Sequence, residues 1–173
     1  MSLTTSFPLI FLDVDGTLIP FGGGRTSPVN QTRWSTPTEE PGNPLLARLD
    51  PALGPRLAAL PGQLVWATTW MDEANTELSP RLGLPALPVV DWPDEPAGSG
   101  PPVPGLHWKT AGLVDRTAGR TFVWVDDEIT DLDRAWVAAH HPGPALLYRV
   151  EPHLGLVESD VRRIADWLRG LAG

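Results

Sequence analysis

Apolar positions along this chain gather into short continuous runs, and amphipathic stretches lie between them. The runs are Leu9 to Leu12, Leu64 toward Trp70, Leu87 to Asp91, Thr121 to Val125 and Ala145 to Val150. Runs of this length bounded by turn residues predict strands buried on both faces. The intervening stretches carry helical signals. Asn43-Pro44 and Asp50-Pro51 each read as an N-cap followed by proline at the first helical position, and Leu53, Leu57 and Leu60 share one face of the second helix. Further helices are predicted near Met71 to Leu78, over Thr110 to Thr117, and from Thr130 and Asp131 through Leu132, Trp136 and Ala139. A last one is capped by Ser159, turns Val161, Ile164, Ala165 and Leu168 inward, and is ended by Gly170. Strands alternating with helices predict an α/β sandwich of three layers in the Rossmann manner, with a mostly parallel five-stranded sheet.

Several strand ends carry chemistry. The first run leads into Asp13-Val14-Asp15-Gly16-Thr17, two carboxylates close enough to serve one cation, beside a glycine that permits a sharp bend. A plain Asp-Gly turn is the structural alternative. A helix-loop-helix calcium site fails on spacing, because Leu18 and Gly24 stand where that loop needs glycine and glutamate. The run from Leu64 ends in Thr68 and Thr69, followed by Asp72 and Glu73. A threonine here can donate to a phosphate at a helix N-terminus, or Thr69 can simply cap the helix. Lys109 precedes the Thr110 to Thr117 helix, and the Thr121 to Val125 run ends in Asp126-Asp127, with Asp131 beyond. Carboxylates so crowded call for a cation, although Asp131 is accounted for as a favourable charge at a helix start.

In this order, Asp13-Val14-Asp15-Gly16-Thr17, Thr68, Lys109 and Asp126-Asp127 resemble the four motifs of the haloacid dehalogenase (HAD) superfamily of phosphohydrolases. The phrases Trp66-Ala67-Thr68-Thr69-Trp70, His107-Trp108-Lys109-Thr110 and Trp124-Val125-Asp126-Asp127-Glu128 resemble the HAD domains of multidomain RNA-repair proteins. The resemblance implies a central strand carrying Asp13, flanked by the strands of Thr68 and of Asp127. It implies Asp13 as nucleophile, Asp15 as acid and base, and Thr68 and Lys109 as ligands of the phosphate oxygens. It also implies Mg²⁺ held by Asp13, Asp15 through its backbone carbonyl, Asp126 and Asp127. An aspartate at the Asp15 position goes with phosphatases and mutases in that superfamily. The implied substrate is a phosphorylated small molecule or nucleic-acid end. Thr69, Gly16, Arg25 and Trp70 are further candidates for contacting it, with Arg33 and Trp34 near enough to reach it. A phosphotransferase or mutase using the same aspartyl-phosphate, and a binding domain without turnover, are the alternatives.

The 173 residues are expected to form one domain. The interval 19–43 reads as a flap or lid, and 92–105 as a proline- and glycine-rich loop, leaving little or no room for a cap domain. With no cysteine, disulfides, thiol nucleophiles and cysteine-bound zinc are excluded. A formal charge of −8 disfavours a broad electrostatic grip on nucleic acid. The first twelve residues lack a basic start, and no run is of membrane-spanning length, so a cytoplasmic protein is expected. Nothing in the sequence calls for an obligate protein partner. Of the eight tryptophans, Trp66, Trp124, Trp136 and Trp167 are expected in the core. His140 and His141, before Pro142, read as a charge complement to a helix C-terminus.

Overall fold

The computed structural model describes residues 7–22, 43–92 and 103–171. Four strands, β1 (Leu9–Leu12), β2 (Gln63–Trp66), β3 (Phe122–Asp126) and β4 (Ala145–Arg149), form one sheet in the order β2-β1-β3-β4. Every pairing is parallel, with Leu12 opposite Trp66 on one side and Val125 on the other. β1 is therefore central, as expected, and all four strands finish at the same edge.

The strands alternate with helices α1 (Leu53–Ala58), α2 (Ser79–Leu82), α3 (Thr110–Thr117), α4 (Asp131–His140) and α5 (Glu158–Gly170). Side chains alternate across the sheet and seed two cores. Ile10, Leu12, Leu64, Trp66, Val123 and Val125 pack with α1, α2 and α5 on one face. Leu9, Phe11, Val65, Phe122 and Trp124 pack with α3 and α4 on the other. Trp66 and Trp124 are fully buried, whereas Trp136 and Trp167 are half-buried at the margins.

The five-stranded sheet is corrected to four strands. The run Leu87 to Asp91 makes only an isolated parallel bridge, Trp66 to Val89, in which Pro88 accepts from Trp66 and Val90 donates back to it. Pro85 and Pro88 lack the N–H groups a longer ladder needs. The segment is held instead by Asn75, whose amide donates to the Leu87 carbonyl and accepts from the Leu87 N–H, both at 2.8 Å.

Helix ends differ in detail from expectation. The helix expected near Met71 to Leu78 begins as a wide π turn over Ala74–Leu78 and continues as α2. Asn43 does cap the short 3₁₀ helix Pro44–Arg48. α5 starts before Ser159, and the Asp160 carboxylate accepts from the Val157 N–H at 3.0 Å, so an acid in the first turn does the capping. Gly170 is its last residue rather than its terminator. His141 is buried, and that burial pulls its pKa below the ordinary histidine value, with a backbone contact to Arg120 pulling the other way. It is therefore no charge complement to α4. Most of the expected flap at 19–43, including Arg25, Arg33 and Trp34, and most of the loop at 92–105 lie outside the described residues.

Candidate active site

Asp13, Thr68, Asp126 and Asp127 stand at or just past strand ends, where a parallel sheet opens its ligand crevice. β1 delivers Asp13, whose N–H bonds the Val125 carbonyl of β3. Ala67 N–H bonds the Leu12 carbonyl, so Thr68 leaves β2 at the same level. β3 delivers Asp126 and Asp127, and Lys109 reaches in from the start of α3.

Lys109 is 3% exposed, and its Nζ donates to Asp13 Oδ1 at 2.6 Å and to Asp126 Oδ2 at 2.8 Å. Burial pulls the ammonium pKa down, but the charges of Asp13 and Asp126 outweigh it and hold the group protonated. Asp13 is fixed from its other side by the Thr17 hydroxyl, which donates to Oδ2 at 3.2 Å. Asp126 accepts from two further donors. Its Oδ2 also accepts from Trp124 Nε1, and its Oδ1 from the Glu128 N–H at 3.0 Å. Those bonds aim Asp126 at Lys109 and leave Asp13 and Asp127 with more room for a further ligand.

Carboxylate oxygens of Asp13, Asp126 and Asp127 lie within 4.8 Å of one another. One ammonium cannot neutralise three acids. Asp13 accordingly has its pKa pushed up to about 7, first by burial and then by the charge of Asp126, with Lys109 opposing. Asp127 is pushed up to about 6 for the same first two reasons. A cation at this point would restore both to carboxylates, and hard oxygen donors suit Mg²⁺. Gly16 takes φ +74°, and a Cβ there would overlap the Asp127 carboxylate, so only glycine lets that acid approach the β1 turn. Arg149 Nε holds the Asp127 carbonyl from behind at 3.0 Å.

Thr68 is buried, and its Oγ1 accepts from the Trp70 N–H at 3.2 Å, leaving the hydroxyl proton to donate outward. The turn is thus capped by Thr68 and not by Thr69, which is exposed. The half-buried Asp15 sits apart from the acidic trio and bonds Trp70, whose Nε1 donates to its Oδ2 at 2.9 Å. Asp131 lies exposed in the first turn of α4, outside the cluster.

The motifs assign no role to three neighbours of the site. Thr17 has a readable signal, lying four residues after Asp13. Asp133 is fully buried and accepts from His107 N, Thr110 Oγ1, Thr130 N and Thr130 Oγ1, which binds the segment around Lys109 to the start of α4. Its signal is the Thr-x-x-Asp capping pattern. Trp92 donates from Nε1 to the Thr68 carbonyl at 3.2 Å and meets Trp108 edge-on.

A family model described as the HAD domain in Swiss Army Knife RNA repair proteins matches residues 9–161. No curated protein and no solved structure matches the chain.

Proposed function

The chain belongs to the HAD domains of Swiss Army Knife RNA repair proteins, and on that premise we propose that it is a Mg²⁺-dependent phosphomonoester hydrolase acting on a nucleotide or a nucleic-acid end phosphate. The observation that carries this reading is the buried bridge from Asp13 through Lys109 to Asp126, set at the ligand-facing edge of the sheet. A buried ammonium clamped on a carboxylate is costly as mere architecture, yet it is the arrangement an attacking aspartate needs beside an anionic substrate.

In this reading an Asp13 oxygen attacks phosphorus. The new O–P bond forms as the ester P–O bond breaks, and the leaving oxygen keeps the electron pair and takes a proton from Asp15. Water then attacks the aspartyl-phosphate, gives its proton to Asp15, and inorganic phosphate departs with Asp13 restored. Thr17 and Lys109 hold the Asp13 carboxylate in one orientation, and the Thr68 hydroxyl and Lys109 ammonium donate to the nonbridging oxygens. Asp13 and Asp127, assisted by Asp126, are the residues that would hold Mg²⁺, whose charge would let an anionic substrate approach an anionic nucleophile. The family's setting in RNA repair supports a nucleic-acid end over an unrelated metabolite.

The test is phosphate release from nucleoside 3′- and 5′-monophosphates and from oligoribonucleotides phosphorylated at either end. It is run with Mg²⁺ and with chelator, for the wild type and Asp13→Asn. Release that chelator stops and the substitution reduces by at least about 10³-fold is expected. Undiminished turnover by Asp13→Asn would overturn the nucleophile assignment. A wild type inert toward every ester would overturn the hydrolase reading.

A further inference from the structure

The sequence makes Trp70 a candidate for touching substrate, yet its polar atom is already engaged. The indole Nε1 donates to Asp15 Oδ2 at 2.9 Å across 55 positions of sequence. Its backbone N–H donates to Thr68 Oγ1 at 3.2 Å, and its partly buried ring packs against the core that α1, α2 and α5 cover. One residue thereby ties the expected acid on the β1 turn to the expected phosphate ligand on the β2 turn. Among the described residues, this indole is the one hydrogen-bond donor to the Asp15 side chain. The next residue, Met71, takes φ +50°, a left-handed conformation that an unbranched side chain resists by about 1 kcal/mol.

We infer that Trp70 is a positioning residue that holds Asp15 by Oδ2 and so dedicates Oδ1 to the proton passed to the leaving oxygen. The inference rests on the hydrolase reading above. An indole suits the task because it donates only: it fixes one carboxylate oxygen and offers no site for the mobile proton. Without it, the carboxyl rotates about its Cβ–Cγ bond and presents Oδ1 in the productive direction only part of the time. In the step concerned, the Asp15 Oδ1–H bond breaks as the leaving oxygen gains the proton, while the ester P–O electron pair moves to that oxygen. The proton returns to Oδ1 from the attacking water.

This role has a signature that general weakening of the fold does not share. An alkyl alcohol must be protonated as it leaves, whereas p-nitrophenolate departs unaided. Substitution Trp70→Phe keeps the ring and removes the N–H. The readout is kcat/KM, which reports only the half-reaction that expels the leaving group: for W70F, kcat/KM on a nucleoside 5′-monophosphate is expected to fall about tenfold to a hundredfold. On p-nitrophenyl phosphate, kcat/KM is expected to change by less than about threefold, whereas kcat falls on both esters where hydrolysis of the shared aspartyl-phosphate limits turnover. Asp15→Asn should show the same split more severely. Equal losses of kcat/KM on the two esters, or no loss on either, would overturn the positioning role while leaving the hydrolase reading intact. A wild type inert toward these two esters and also toward the 3′-monophosphates and end-phosphorylated oligoribonucleotides of the panel above would overturn the hydrolase reading itself. The contact is also read without turnover, in the Trp70 indole proton resonance of ¹⁵N-labelled protein. Asp15→Ala should shift it upfield and speed its exchange, and an unmoved resonance would overturn the inference.

Discussion

Lys109 carries more of the site's electrostatics than any other single residue. Its ammonium faces two buried carboxylates, with Asp127 close behind them. Replacing it with glutamine leaves Asp13 and Asp126 to repel each other out of water, and breaking a buried pair in this way costs about 3–5 kcal/mol. A lower Tm for Lys109→Gln in chelator, partly recovered by millimolar Mg²⁺, is the expected result by calorimetry. Gly16 acts by what it lacks. Gly16→Ala would force a Cβ against the Asp127 carboxylate at a positive φ. The expected outcome is weaker Mg²⁺ binding by titration calorimetry, together with a stability loss of about 1–2 kcal/mol.

At the scale of elements, the join between α3 and α4 matters most. Asp133 collects four hydrogen bonds from His107, Thr110 and Thr130. Burial raises its pKa, but those bonds outweigh it and hold it below the ordinary value of 3.8. The stabilisation is therefore fully present above that value and is lost as pH falls through the lower folded value. Asp133→Ala should cost about 2–3 kcal/mol at pH 7, with the difference from wild type shrinking in acid denaturation series. His141 gives a second pH effect of the same sign near neutrality. Its folded pKa lies below 6.5, so the unfolded chain binds more protons as pH drops past that point, and stability declines. His141→Gln should flatten that slope. These elements are unequally legible in the sequence. β1 and β3 are plain because an apolar run ending in paired acids fits little but a buried strand that leaves the core at a polar site. The stretch Leu87 to Asp91 looks equally apolar, but its prolines leave one bridge in place of a strand. Asp133 is hidden because Asp131, two positions earlier, satisfies the helix-start pattern by itself. The bond from Trp70 to Asp15 is invisible to any local pattern, since only the packing of two turns brings those residues together.

For the whole molecule, Mg²⁺ held by the acidic trio as proposed would make folding and metal binding one linked equilibrium. A divalent ion that binds only the folded form at a hundred times its Kd adds about 2.7 kcal/mol. For a chain of this size that is a rise in Tm of about 5–10 °C, readable by thermal shift with Mg²⁺ against chelator. The order of the sheet has a further consequence, one of time. The central strand is translated before its three neighbours, yet Leu9 must wait for Phe122 before its second flank is covered. Parallel pairings so distant in sequence make a high contact order, and such topologies fold slowly. Until the ribosome has released β3, Asp13 has neither Lys109 nor Asp126 beside it, and β1 exposes one unpaired edge. The nascent protein thus passes through an interval in which its most apolar strand is open to wrong partners, and a chaperone that shields this strand should raise the yield of folded molecules.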